Sequence, residues 1–411
     1  MTARRSVAII GAGAAGLMAA ARLADAGVAA DVFEQNEKIG RKLRITGKGR
    51  CNITNKCDRD AFLQNVIANP RFLYSALTRF SPDDLIAYLE GQGLPLKVER
   101  GNRVFPVSDQ AQDVIHIFDR KLRGTSVRLR RGRVTEIRDN GPFRLVLSDG
   151  TENTYDIILL ATGGITYPKT GSRGDGYRFA QAYGHDITKR TPVLVSLLCA
   201  EDACARMQGL TLKNVRLKLY DGSKRLFDEL GEVLFTHKGI SGPLALTASS
   251  LLRNEPLPLQ ARIDCKPGLD ADMLDARILR DFASQQNRAL KNSLHQLLPR
   301  TMIPEILAVS GIAPEKPVNL ITRADRGALS KAIKGFPLTV TDRGGADEAV
   351  ITAGGVSVRQ VNPTTMESKL VKDMYFAGEI LDVDALTGGF NLHIAFATAV
   401  LAAEAIIEKT R

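Results

Sequence analysis

The stretch from Ser6 to Glu34 constrains this chain more than any other. Ser6-Val-Ala-Ile-Ile10 is an apolar run, Gly11-Ala-Gly13-Ala14-Ala15-Gly16 follows, an alanine-rich segment leads to Gly27, and Ala29-Ala-Asp-Val-Phe-Glu34 is apolar again. The pattern reads as strand, tight turn, helix, strand. Gly11 permits a sharp turn, Gly13 lets a pyrophosphate approach the backbone, and Gly16 lets the helix pack close to the sheet. The helix begins at Ala14 and Ala15, whose end of the helix offers free N–H groups and partial positive charge to phosphates. Glu34 stands 18 positions after Gly16, where a carboxylate accepts hydrogen bonds from adenosine ribose hydroxyls, with Gln35 beside it. Ala20, Leu23 and Gly27 fall where close βαβ packing needs small or apolar residues. A helix that binds nothing would not need strand, turn and acid together.

A chain of 411 residues predicts two or three domains. Its net charge of +11 points either to a polyanionic partner or to a basic surface that answers a dianionic cofactor. The five cysteines, at 51, 57, 199, 204 and 265, form no C-x-x-C pair, so neither a disulfide framework nor a zinc site is expected, and no metal site is assigned. Arg4-Arg5 ahead of an apolar run imitates a secretory signal, but the uncharged run ends at Arg22, too short to span a bilayer. The expectation is a cytoplasmic protein without a membrane partner.

After Glu34, residues 36–55 form a basic loop punctuated by glycine. Arg41, Lys42, Gly49, Arg50, Cys51 and Asn52 are candidates to fold along a cofactor and match its pyrophosphate charge, with Gly47 and Gly49 permitting close approach. Residues 58–123 read mainly as helices, with a turn and short strand at Gly101–Pro106. From Val127 the pattern alternates through Val134, a further candidate, to Leu147, with Asn140-Gly141 as a hairpin signal. Arg128, Arg130, Arg131 and Arg133 are either a polyanion patch or a solvated strand face. Asp156–Gly164 is a second buried strand, and Ala161, Thr162 and Gly163 at its end can meet the same cofactor. Asp175, a further candidate to meet the cofactor, lies in the Gly171–Tyr177 loop that leads into a helix read over 177–184. Residues 191–353 read as an inserted β unit with a helical subdomain over about 270–334, where Leu290, Leu294, Leu297 and Leu298 make one stripe. A third strand end, Ala377-Gly378-Glu379, is followed by Asp382, Asp384 and Gly388-Gly389-Phe390-Asn391, then an apolar helix over Leu392–Ile407, whose start would stabilise negative charge.

These three motifs, in this order, resemble the two-dinucleotide-binding-domain flavoproteins. The resemblance implies an α/β fold with a glutathione-reductase-type FAD-binding Rossmann domain, discontinuous over 1–190 and 354–411, and an inserted β-barrel-like unit over 191–353. It also implies that Glu379 bonds the ribityl chain. More narrowly, Gly47–Asn52, Arg103–Ser108, Ala161–Gly164, Gly171–Tyr177, Phe235–Pro243 and Gly354–Asn391 resemble the family that contains bile-acid-pathway steroid reductases and the flavin-dependent dihydrouridine synthase of large-subunit ribosomal RNA. The chain departs from many members at Lys48, where they carry glycine, and at His393 and Phe396, where they carry glutamine and tryptophan.

One dinucleotide fingerprint is present, so NADH or NADPH would visit the bound FAD and leave. Reduction of a carbonyl-conjugated C=C bond then needs a proton donor within hydrogen-bond reach. The candidates are Cys51, whose thiol pKa the preceding basic run would lower, His237 ahead of a Gly-rich loop, and His393 on the last helix. The substrate would be a uridine in ribosomal RNA or a steroid-like enone. Three rivals stay open: a flavin disulfide oxidoreductase using Cys51/Cys57 or Cys199/Cys204, an RNA-binding protein with an idle flavin, and an amine or hydroxy-acid oxidase.

Overall fold

The computed structural model describes residues 5–411, so Arg4 of the Arg4-Arg5 pair lies outside the described residues. The chain divides into two compact units. One runs to Val193 and resumes over Ala346–Arg411; the other is Leu194–Gly345.

In the first unit, β1 (Val7–Ile10), α1 (Ala14–Asp25) and β2 (Ala30–Glu34) form in turn. With β3 (Val127–Arg131), β4 (Ile157–Leu160) and β5 (Met374–Phe376) they make one sheet of order β5-β4-β1-β2-β3. Every pairing in it is parallel. Residues of β1 and β4 are buried throughout, as a parallel sheet covered on both faces requires. The chain builds one side of the sheet from β1 through β2 to β3 and the other through β4 to β5. The order therefore reverses between β1 and β4, the place where open parallel sheets bind ligands beyond their strand ends.

The last helix, α2 (Phe390–Thr410), starts two residues earlier and ends later than the apolar pattern indicates, because Gly389 at φ +99° closes the preceding turn. It packs against α1. It is long and apolar enough to cross a membrane, yet 78% of its most apolar window is buried inside the unit. A helix apolar on all sides is one surrounded by core. Around this frame, the stretch expected to be mainly helical contributes Leu96–Glu99 and Arg103–Pro106 to an antiparallel sheet with Thr54–Asn55.

The junctions differ from those read in the sequence. Thr191–Val193 and Ile351–Ala353 pair antiparallel with each other, and this pair belongs to the first unit. The outgoing and returning chains zip together, which moves the boundaries inward to Val193 and Ala346.

The second unit is a closed barrel in which Leu197–Cys199, Gly239–Ser241, Lys224–Thr236, Thr211–Asp221, Leu259–Asp264 and Phe336–Arg343 follow one another around the ring. Val215, Leu217 and Leu219 are buried, the inward half of the alternation expected there. Its helices include Ala271–Ala283, capped by the Asp270 carboxylate, Ile303–Ser310, stopped by Gly311 at φ +70°, and Arg323–Lys334, opened by a Thr322/Asp325 capping box. The leucine stripe is a correction. Only Leu290–Asn292 forms a short 3₁₀ turn there, and Leu294, Leu297 and Leu298 are buried in irregular chain. The periodicity reported burial, and the turn bonds from Leu297 N–H and Leu298 N–H to Leu294 O replace a continuous helix.

Gly16 tests how tightly this frame is closed. A Cβ at that position would sit 1.8 Å from the Gly11 carbonyl oxygen, a backbone atom that cannot swing aside. Gly16→Ala is expected to destabilise the apoprotein by about 3 kcal/mol or more. Urea denaturation of the two proteins checks it, and an unchanged midpoint refutes the packing argument.

Candidate dinucleotide site

Beyond β1, the Gly11 N–H donates to Phe33 O at 2.8 Å, and Gly11 takes φ +105°. A side chain there would meet Ala161 O at 2.5 Å. Gly11 and Gly16 are thus demanded by packing. Gly13 is different: its backbone is extended (φ −83°, ψ −166°), and a Cβ would meet nothing within 4 Å. Gly13 is also the N-cap of α1, with no side chain capping the helix and no acid in its first turn. The start of α1 at Ala14 and Ala15 therefore opens onto free space with uncapped N–H groups and the positive end of the helix dipole.

Glu34 closes one side of that space. One carboxylate oxygen accepts from Ala12 N–H at 3.0 Å; the other accepts from Asn36 N–H at 2.9 Å and Asn36 Nδ2 at 2.6 Å. An ionised carboxylate has about four acceptor positions, so room remains for a ribose hydroxyl. Gln35 Nε2 donates to Gly171 O at 2.7 Å, and Asn36 Nδ2 donates to Thr170 O at 2.9 Å. These bonds hold the loop before Asp175 against the end of β2. Arg41 donates to Asn36 Oδ1 at 2.9 Å, and Gly40 N–H to Ala12 O at 2.9 Å.

The other two strand ends converge on the same turn. Ala161 N–H donates to Ile10 O at 3.0 Å, and Gly163 takes φ +72°. Thr162 Oγ1 is buried with no hydrogen-bond partner. A Cβ at Gly378 would stand 2.9 Å from Ala15 Cβ, so the third motif packs on the first turn of α1. Next to it, Glu379 accepts from Lys42 Nζ at 2.5 Å, Thr166 Oγ1 at 3.2 Å and Thr352 N–H at 2.9 Å. Lys42 also donates to Thr166 Oγ1 at 2.7 Å. Thr166, Thr352 and Asn36 were missed by the sequence reading. Only Asn36, two positions after Glu34, carried a signal that could have shown it.

Several candidates serve the frame instead. Arg50 is not free to meet a pyrophosphate: it bonds Glu99 at 2.5 Å and Asp109 at 2.5 Å and lies 4.2 Å from the Phe105 ring centre. Asp175 is held by Arg133 through bonds of 3.0 and 3.1 Å. Val134 is buried at the start of the strand Val134–Arg138. Asp382 N–H donates to Val356 O at 3.0 Å, bracing its own loop. At the start of α2, Gly388 and Gly389 take φ +128° and +99°, and a Cβ at Gly389 would meet Thr54 O at 2.4 Å. Phe390 packs edge-on to Phe62 at 4.9 Å, and Asn391 bonds Ala385 N–H and Ala385 O at 2.8 and 2.7 Å. With its amide turned to suit its neighbours, Asn52 accepts from Gly389 N–H at 3.1 Å. Gly49 takes φ +87°, and Lys48 itself takes φ +59°, a left-handed conformation in which glycine is at ease.

The expected activation of Cys51 is reversed. The residue is fully buried, and that burial pushes its thiol up to about 12. The basic run before it cannot offset the loss of water. His393 is equally buried, with Nδ1 3.1 Å from Thr54 Oγ1 and Nε2 3.1 Å from Phe80 O, and burial pushes it down to about 4. At neutral pH it is an uncharged packing residue, so it supplies no acid. His237 lies in the barrel unit, exposed in the turn between Lys224–Thr236 and Gly239–Ser241.

The uncapped helix start, the open space at Gly13 and the unfilled acceptor capacity of Glu34 together fit a dinucleotide. Comparison with known proteins agrees with this geometry. The family model described as HI0933-like protein Rossmann domain matches residues 5–405. The chain is 32% identical over 409 residues to the 3-dehydro-bile acid delta(4,6)-reductase of Clostridium scindens, covering 98% of this chain and 99% of that one. It is 30% identical over 406 residues to the ribosomal RNA dihydrouridine synthase of Haemophilus influenzae, covering 97% of each. Among solved structures, the 3-ketosteroid-delta4-(5alpha)-dehydrogenase of Rhodococcus jostii shares the fold with a TM-score of 0.54 at 14% identity, over 98% of this chain and 97% of that one.

Two outcomes follow from the site's geometry. Gly13→Val fills the open space without straining the backbone. The apoprotein should melt within about 3 °C of the parent while losing dinucleotide binding, read by thermal unfolding and by cofactor content after purification. His393 makes stability depend on pH. Above its ordinary value of 6.5 it is neutral folded and unfolded; as pH falls from there towards about 4, only the unfolded chain takes up the proton. Stability should therefore drop over that window by about 3 kcal/mol. His393→Gln keeps an acceptor for Thr54 and a donor for Phe80 O and should flatten that part of the profile. Equal slopes for both proteins, from urea midpoints at about pH 7.5 and about pH 5, would refute the assignment.

Proposed function

The chain belongs to the HI0933-like Rossmann-domain family, and from that premise we propose that it is an FAD-dependent oxidoreductase. In this reading it reduces a C=C bond conjugated to a carbonyl, with NADH or NADPH as transient electron donor. The observation that carries the reading is the open, uncapped start of α1 at Gly13, set beside Glu34 and the ends of β4 and β5. When bound, FAD supplies two-electron chemistry that side chains lack. The chain's part is to hold it. The Gly11–Gly16 turn and the start of α1 take the pyrophosphate, and Glu34 takes the adenosine ribose. Thr162, Lys42 and Glu379 stand where the third motif meets α1, and the start of α2 at Gly389 offers a second positive helix end.

The similar bile-acid reductase and the similar ribosomal RNA dihydrouridine synthase are named for different substrates with one shared chemistry. A 3-oxo-4-ene and the uridine C5=C6 bond are each conjugated to a carbonyl, so two electrons enter at the far carbon and an acid protonates the near one. The net charge of +11 favours ribosomal RNA, and with it a cytoplasmic location. A steroid-like enone is the second reading, favoured by the 32% identity to the bile-acid reductase over nearly the whole chain. Of the three candidate acids, His237 alone is exposed, and it stays the candidate proton donor.

Purified protein should be yellow, release FAD rather than FMN on denaturation, and lose its visible absorbance anaerobically with NADPH or NADH. A flavin that neither nicotinamide reduces would sink the donor assignment. Deleting the gene should remove dihydrouridine from large-subunit ribosomal RNA, measured by nucleoside mass spectrometry. Unchanged dihydrouridine, with an enone reduced by the purified enzyme, would move the assignment to the small molecule. His237→Asn should lower turnover by about 10²-fold or more with FAD content unchanged.

A further inference from the structure

In the first unit, the loop that runs from Asp382 to the start of α2 is tied to two neighbouring segments. Asn55 Nδ2 donates to Gly388 O at 3.2 Å and to Gly101 O at 2.9 Å, and Lys56 N–H donates to Asn102 O at 2.7 Å. These bonds set the turn between Leu96–Glu99 and Arg103–Pro106 beside Gly388. Leu386 N–H donates to Asn65 O at 2.9 Å, Ile67 N–H to Asp384 O at 2.7 Å, and Asn69 Nδ2 to Asp382 O at 2.6 Å. Residues 65–69 therefore lie against the same loop. Both segments carry cations that the fold does not use: Lys56, Arg71 and Arg100 are exposed and have no ion-pair partner among the described residues. Of the acids nearby, Asp60 faces Arg59 at 3.4 Å, and Asp58 caps the helix Arg59–Gln64 by accepting Ala61 N–H at 2.8 Å. The second segment also borders an open groove of about 450 Å³, lined by Asp60, Leu63, Gln64, Pro70, Arg71 and Tyr74. Tyr74 is 51% exposed, yet its ring is held: the Arg59 guanidinium lies 4.1 Å from the ring centre and donates to Thr78 Oγ1 at 3.3 Å. The groove thus joins a braced aromatic ring, the Gln64 amide and an unpaired guanidinium.

We propose that this face docks single-stranded RNA, with one base stacked on Tyr74 and neighbouring phosphates held by Arg71, Lys56 and Arg100. This docking surface rests on the ribosomal RNA reading above and would lead the strand past the start of α2. Single-stranded RNA matches both features of the face. Its bases present flat π-faces to an aromatic ring, and its backbone presents a row of negative charges to unpaired cations. Arg71 lines the groove itself, so a phosphate can be met beside the stacked base. The Gln64 amide carries both donors and an acceptor, which suit the polar edge of a base. A duplex keeps its base faces within its own stack and has none to offer Tyr74. An acidic peptide matches the cations alone, and a steroid matches neither the cations nor the amide.

The test uses the full chain with its flavin and a fluorescein-labelled, uridine-rich RNA of about 12 nucleotides, with binding read by anisotropy across a series of salt concentrations. The parent should bind. Tyr74→Ala should weaken binding about 10-fold at every salt concentration, and Tyr74→Phe should bind as the parent does, because the ring and not the hydroxyl is used. Arg71→Gln and Arg100→Gln should each flatten the slope of log affinity against log salt by about 0.7, the share of one phosphate contact on a single strand. Arg128→Gln, on the edge strand β3, should leave that slope unchanged, and all variants should keep the parent's flavin content. A parent that binds no RNA, a Tyr74→Ala protein that binds like the parent, or an equally tight complex with an RNA duplex or with polyglutamate would each overturn the proposal. So would a slope change in Arg128→Gln equal to that in Arg71→Gln, which would mark diffuse attraction to the whole basic chain. If the parent binds RNA and Tyr74→Ala is indifferent, the docking surface falls, while dihydrouridine in the deletion strain still decides the substrate separately.

Discussion

The first unit rests on one close backbone approach. The Gly11 carbonyl lies where a Cβ on Gly16 would be, and the Gly11 α-carbon lies against Ala161 O. Three segments, the end of β1, the first turn of α1 and the end of β4, therefore meet with no side chain between them. Gly378 extends the contact by setting the end of β5 against Ala15. Close packing excludes water and fixes the helix start relative to the strand ends. The N–H groups of α1 are thus aimed before any ligand arrives, and little ordering cost is left for binding. A larger residue at Gly11 or Gly16 would open the turn and spoil that aim, whereas Gly13, free of neighbours, leaves the space itself.

How far this was legible in the sequence depended on the range of the interactions. The fingerprint, Glu34 and the helix start are local, and a tight turn leaves glycines at fixed spacing. The alternation at Val215, Leu217 and Leu219 was equally readable, because the strand period is two. Misreadings came where a partner lies far along the chain. Arg50 looked free because Glu99 and Asp109 are 49 and 59 residues away. His393 looked available because Phe80, which fixes its ring, is 313 residues away. Cys51 looked activated because its neighbours in sequence are basic, whereas its pKa follows burial that no local pattern reports. Thr166 and Thr352 carried no signal, since a threonine in a loop becomes a partner only once Glu379 is folded against it.

The basic composition is similarly divided by the fold. Arg5 and Lys409 both bind Asp373, at 2.5 and 2.9 Å, and Lys409 also reaches Glu367 at 2.6 Å, so this cluster ties the end of α2 to the approach to β1. Arg133 is taken by Asp175, and Arg130 by Asp31 at 3.2 Å. Arg128 and Arg131 on the edge strand β3 are exposed and have no ion-pair partner among the described residues. Unpaired arginines there discourage another strand from pairing with the edge and also raise the local positive potential. A run of basic residues is therefore a poor guide to where a binding surface lies until those held in internal pairs are set aside.

The Lys42–Glu379 pair shows how the same frame sets the polarity of the site. Each side chain is 19% exposed, so water screens the pair only in part. A lone carboxylate at that depth would be costly to keep charged, and a lone ammonium equally so. Thr166 and Thr352 N–H supply further hydrogen bonds to Glu379, and Thr166 Oγ1 also accepts from Lys42. Lys42 comes from the short helix Arg41–Ile45 that follows β2, Glu379 from beyond the end of β5, and Thr352 from the paired junction strand. A change at any one of the three would leave a charge or a polar group under-bonded beside the helix start. The Lys42–Glu379 cluster is thus held by the same convergence of strand ends that positions α1.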